Sequence, residues 1–95
     1  MELKDTIEMM QSADYKERFK AEYHQTKTRY EKLKAFNNKI EAAQRTGCDP
    51  FQLLTKRVEE PKHDCPAEML RQQQSVMGEY LHILEVRAVI EGIEL

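Results

Sequence analysis

Apolar residues recur along this chain every three or four positions, with polar residues between them, and that spacing divides it into helices. Leu3, Ile7 and Met10 place a short amphipathic helix within residues 1–12. Ser12-Ala13-Asp14 breaks the pattern, and Asp14 with Glu17 three residues later has the form of a capping box opening a second helix. From residue 14 to 45 there is no Pro or Gly. A stripe of Tyr15, Phe19, Tyr23, Thr26, Tyr30, Leu33, Phe36, Ile40 and Ala43 keeps helical period throughout. A helix of about 45 Å, at 1.5 Å per residue, is not stable alone and needs a partner to lie against.

Thr46-Gly47 is expected to end this helix, with Gly47 as a left-handed terminal residue. Asp49-Pro50 reads as a cap followed by a first-turn proline, opening a short helix over residues 50–58 inside a connector of residues 46–65. Asp64 or Cys65 before Pro66 starts the last long helix, residues 66–94. It carries two stripes. One is Leu70, Gln73, Met77, Tyr80 and Leu84; the other is Met69, Val76, Ile83, Ile90 and Ile93. A helix apolar over so much of its circumference is buried on more than one side, which one partner helix cannot achieve. The reading is therefore all-α: one domain over residues 1–95, with a short helix and an antiparallel hairpin of two long helices, assembled as a homo-oligomer.

Composition narrows the picture further. Ninety-five residues make one small domain, 34% charged and 40% apolar, at a mean hydropathy of −0.78. No stretch approaches the roughly 18 apolar residues of a membrane span, and the acidic start MELKDTIEMM lacks a secretory core, so a cytoplasmic protein is expected. The net charge of −2 argues against binding DNA or RNA polymers. It conceals an asymmetry: residues 14–45 hold nine Lys/Arg against five acids, and residues 64–95 hold two against six. Complementary neighbours result, with basic side chains left over for an anion.

Catalytic chemistry finds little support. There is no Gly-rich phosphate loop, no GxSxG and no HExxH, and His24, His63 and His82 are scattered without a nucleophile. Cys48 and Cys65 are read as free thiols, although in an oxidising compartment they could close a loop. With His63 they could offer three zinc ligands, but the spacing matches no paired-ligand knuckle. No metal and no cofactor are expected. On the second helix Tyr15, Phe19, Tyr23 and Tyr30 interleave with Arg18, Lys27, Arg29 and Lys32. Rings stack on bases and cations take phosphates, so the pattern suits a nucleotide; it equally suits a core fringed by extended Lys and Arg stems. Arg87, in an otherwise apolar stretch, needs either Glu91 at i+4 or a ligand phosphate.

The strings DYKERFKAEYHQTKTRYEKLKAF and QQQSVMGEYLHILEVRAVI resemble the phage hairpin proteins that sequester immune signalling nucleotides, the anti-CBASS and anti-Thoeris sponges. The matching positions are Tyr15, Arg18, Arg29, Lys32, Leu33 and Phe36, then Met77, Tyr80, Leu84 and Arg87. The resemblance implies a protein that is not an enzyme. Such a protein binds cyclic di- or trinucleotides, or cyclic ADP-ribose isomers, in pockets between protomers of a dimer-to-hexamer assembly. It casts Tyr15 as the ring that stacks on a base. Arg18 and Arg29 become the phosphate contacts, Lys32 a further ligand-binding residue, and Arg87 serves a second phosphate-rich site. The alternative is a self-associating helical phage protein that binds another protein, motivated by the apolar surface of residues 81–95.

Overall fold

The computed structural model describes residues 2–47 and 58–95. Of the short helix expected over residues 50–58, residues 50–57 lie outside them, and Val58 is not helical. Every regular element among the described residues is helical: a 3₁₀ turn over Leu3–Thr6, α1 (Ile7–Met10), α2 (Tyr15–Gly47) and α3 (Ala67–Glu91). The first predicted helix is thus a 3₁₀ turn running into a single α turn.

Asp14 caps α2, its Oδ1 accepting from the Lys16 amide at 3.0 Å, while Ser12 Oγ accepts from the Asp14 amide at 3.1 Å. Side chains in contact fix how the long helices lie. Tyr15 meets Arg87, Glu22 meets Tyr80, Tyr30 lies on Gly78, and Asn37 meets Leu70 and Gln74. Residue numbers rise along α2 as they fall along α3.

The core between them is small. Phe19, Tyr23, Leu81, Leu84, Ala88 and Ile93 form one buried cluster, with Tyr30 packed against it. Ile40 is buried further along α2. The expected stripe of α2 does face inward, but Tyr15 at its start stays 46% exposed. On α3 the inward positions are Leu70, Gln74, Met77, Leu81, Leu84 and Ala88, at steps of three and four. Gln73 and Tyr80, assigned to that stripe from the sequence, are exposed. The second stripe, Met69, Val76, Ile83 and Ile90, lies outside at 53–77% exposure; of its expected members only Ile93 is buried.

The N-terminal segment is tied across α2 rather than left free. Thr6 and Ala21 are wholly buried, Thr6 Oγ1 donates to the Leu3 carbonyl at 2.6 Å, and Gln25 Nε2 donates to Thr6 Oγ1 at 3.0 Å.

Helix ends differ from the sequence expectation in three places. Gly47 is the last residue of α2 and does not have positive φ. The left-handed glycine is Gly92, at φ 68° and ψ 34°, and it stops α3 at Glu91 rather than 94. There the Ile93 amide reaches the Ala88 carbonyl at 2.8 Å and the Gly92 amide the Val89 carbonyl at 3.4 Å, a Schellman closure. It holds because Ile93 folds back into the cluster containing Ala88. Pro66 is the N-cap of α3, not its first helical residue. Gly92→Ala forces a Cβ into the left-handed region and is expected to cost about 1 kcal/mol, read as a lower midpoint in urea with unchanged slope.

Candidate functional site

Two neighbourhoods concentrate rings, cations and hydrogen-bond donors. The first joins the start of α2 to the end of α3. Arg87 Nη2 donates to the Tyr15 hydroxyl at 2.5 Å, Arg87 Nε donates to Glu91 Oε2 at 3.1 Å, and the guanidinium carbon stands 5.0 Å over the Phe19 ring. The Tyr15 and Phe19 rings are tilted against each other with centroids 6.2 Å apart. Glu91 first, and then Tyr15, hold the guanidinium more firmly protonated than usual. The guanidinium is locked by a ring, a carboxylate and a phenol, yet among the described residues its Nη1 makes no hydrogen bond. A half-exposed tyrosine ring beside a fixed cation can stack on a base and meet its phosphate. The two open readings of Arg87 are thus partly resolved: Glu91 is its acidic partner, and one edge remains open.

The remaining sequence-derived candidates lie elsewhere. Arg18, one turn after Tyr15, donates from Nη1 to the Ser12 and Ala13 carbonyls at 3.0 and 2.9 Å, clasping the loop before α2. Arg29 lines a shallow depression with Leu3, Lys4, Ile7 and Gln25. Lys32 lines another with Glu2, His24, Lys27, Thr28 and Glu31. At 1.5 Å per residue they stand about 21 and 25 Å along α2 from Tyr15, so one small ligand cannot touch all three on one chain.

His24, which lines the same depression as Lys32, carries a pH signature. Burial, then the Lys27 charge, lowers its pKa below the ordinary value. A depressed folded-state pKa means that protonation opposes folding. Its contribution is complete above about pH 6.5 and is lost as pH falls through the folded value. Calorimetric scans are expected to show a smaller drop in Tm between about pH 7 and pH 5 for His24→Gln than for the wild type.

The second neighbourhood was not anticipated from the sequence. Tyr30, Arg71, Gln74, Ser75, Gly78, Glu79, His82 and Ile83 line a groove of about 820 Å³ between α2 and α3. That volume suits a small-molecule ligand. The groove's inner wall is the Tyr30 ring lying against Gly78. Built on Gly78, a Cβ would sit 3.5 Å from the Tyr30 hydroxyl and 3.6 Å from its ring, so the phenol lies almost on the helix backbone. Such a contact is ordinary, and a mid-helix glycine costs about 1 kcal/mol against alanine. Gly78→Ala is therefore expected to raise stability by up to about 1 kcal/mol in denaturant unfolding, while narrowing the groove. Two signals did exist in the sequence: a lone glycine inside an unbroken helix, and polar or small residues at 71, 75, 78 and 82, a helical stripe.

For the zinc alternative, Cys48 lies outside the described residues, and His63 Nδ1 sits 2.6 Å from the Cys65 carbonyl oxygen. No group of three or more His, Cys, Asp or Glu able to hold a metal occurs among the described residues.

The arrangement is that of a helical binding protein, with rings and guanidinium groups presented along a pair of long helices. The Sequestin family model matches residues 13–56 and 53–90, covering both long helices, and the chain belongs to that family. Sequestins are phage nucleotide sponges of the anti-CBASS and anti-Thoeris kind, the group that its sequence resembles. No curated protein and no solved structure matches it. No helix among the described residues is long and apolar enough to cross a membrane.

Proposed function

We propose that this protein binds cyclic nucleotide second messengers, cyclic di- or trinucleotides or cyclic ADP-ribose isomers, and withholds them from host effectors without cleaving them. The observation that carries the reading is the Sequestin match across both long helices. Tyr15 stacks on a base, and the open edge of Arg87 meets phosphate. The Tyr30–Arg71 groove is a second place for the same ligand class. Arg18 acts by holding the loop before α2.

The protein works as a self-associated hairpin in the host cytoplasm. Met69, Val76, Ile83 and Ile90 recur every seven residues on the outer face of α3, more than half exposed, as a helix–helix seam does. Arg29 and Lys32 then reach ligand held by a neighbouring copy. Ile83→Glu together with Ile90→Glu is expected to reduce the assembly to monomers by light scattering, with helicity retained. An unchanged mass would remove this seam from the interface.

Calorimetric titration with cyclic di-AMP, cyclic tri-AMP and a cyclic ADP-ribose isomer tests the binding. Submicromolar affinity for one class supports the reading. A folded protein silent to all of them leaves the protein-interaction alternative, which the exposed Val86, Val89, Ile90 and Leu95 favour.

A further inference from the structure

Asn37 is buried at 6% exposure within the α2–α3 contact, and its single Nδ2 serves two acceptors: the Leu70 carbonyl at 3.1 Å and Gln74 Oε1 at 2.9 Å. A backbone carbonyl can only accept, so Leu70 fixes which end of the Asn37 amide faces α3. Gln74 must then offer its oxygen to Asn37. Its Nε2, which makes no hydrogen bond among the described residues, is the end left for the groove that Gln74 lines. The arrangement has a cost, because Asn37 Oδ1 is buried without a partner. A leucine there would remove both the orphaned acceptor and the orientation of Gln74.

We infer that Asn37 is a positioning residue that holds Gln74 as a hydrogen-bond donor in the Tyr30–Arg71 groove, so that this end of the groove selects a phosphodiester oxygen. Arg71 and Ser75 stand on either side of Gln74 along the same turn of α3 and supply further donors. The inference rests on the groove being a ligand site, as proposed above, and deepens it by naming what the groove prefers. Glu79 lines the same groove, so an acceptor-rich anion is favoured at the Arg71–Gln74–Ser75 end, where three donor-bearing side chains adjoin one another.

The test uses the full-length protein, isotope-labelled, with cyclic tri-AMP as the probe. In the free protein, the Asn37 NδH₂ pair is expected to be protected from solvent exchange and the Gln74 NεH₂ pair to exchange freely. Cyclic tri-AMP should shift the Gln74 pair and leave the Asn37 pair in place. Gln74→Glu keeps an oxygen for Asn37 but turns a carboxylate to the groove, and it is expected to weaken binding at least tenfold with Asn37 still protected. Asn37→Leu is expected to fold with an equal or higher Tm and to bind several-fold more weakly, because Gln74 then rotates freely. If the wild type binds and both variants bind equally well, the inference fails while the function stands. Protected Gln74 protons in the free protein would overturn the orientation without reference to ligand. If the wild type binds no cyclic tri-AMP, the ligand assignment of the groove fails and takes the inference with it.

Discussion

Leu84→Ala is expected to lower the unfolding free energy by about 3 kcal/mol, within the range for emptying a buried leucine site. Among the described residues, Leu84 is fully buried in a core cluster with five other buried residues, Phe19, Tyr23, Leu81, Ala88 and Ile93. Its neighbours come from two rigid helices held by aromatic rings, so they cannot collapse to fill the space. A small domain has about 5–15 kcal/mol in total, and each kcal/mol moves Tm by about 4–8 °C at this size. A fall in Tm of more than 10 °C should follow in a differential scan at fixed protein concentration. The outer-face variant Val89→Ala, at a position 83% exposed, should move it little in the same scan. A loss below about 1 kcal/mol for Leu84→Ala would mean that the α2–α3 core does not carry the fold.

Arg87→Ala is expected to weaken cyclic nucleotide binding about a hundredfold, because it removes the cation that meets the phosphate. Tyr15→Ala removes a stacking surface worth about 1–3 kcal/mol and should fall in the same range. The two are in contact, through the bond from Nη2 to the phenol, so the double variant should lose less than the sum. Arg87→Lys separates charge from geometry. It keeps the cation but cannot bond Tyr15 and Glu91 together while lying over Phe19, and it should recover only part of the affinity. Calorimetry on the four variants, with helicity checked by circular dichroism, decides the matter. Unchanged affinity in Arg87→Ala would exclude this end of the helix pair as the site.

Much of the fold was legible because it rests on local rules. The α2 stripe from Phe19 to Ile40 is a periodic signal over some twenty residues, and the Asp14 cap is a short-range one. What the periodicity could not decide was which stripe of α3 turns inward. Leucine, valine and isoleucine suit an internal contact and a contact between copies equally well. The choice is visible only in the assembled pair of helices, where Leu81, Leu84 and Ala88 join Phe19 and Tyr23 in one buried cluster. The two glycines make the same point. Gly92 takes the left-handed conformation because Ile93, just after it, has a core to return to; Gly47 is simply the last helical residue.

The candidate site was legible only in its parts. Tyr15 and Arg87 are 72 positions apart, and no spacing rule joins them; only the direction of α3 against α2 does so. Arg18 looked free for a phosphate because its call on the carbonyls of Ser12 and Ala13 depends on the turn made by that loop. The Tyr30–Arg71 groove needed a residue from each helix, so its polar stripe on α3 had no meaning until Tyr30 was placed opposite.

The most direct test of sequestration is recovery of the ligand. The purified protein is loaded with the cyclic nucleotide that it binds, freed of excess by gel filtration, heated to unfold it, and the supernatant is chromatographed. Stoichiometric return of the intact cyclic nucleotide is the expected result. Linearised or hydrolysed product, or a protein fraction that carries no nucleotide, would contradict it.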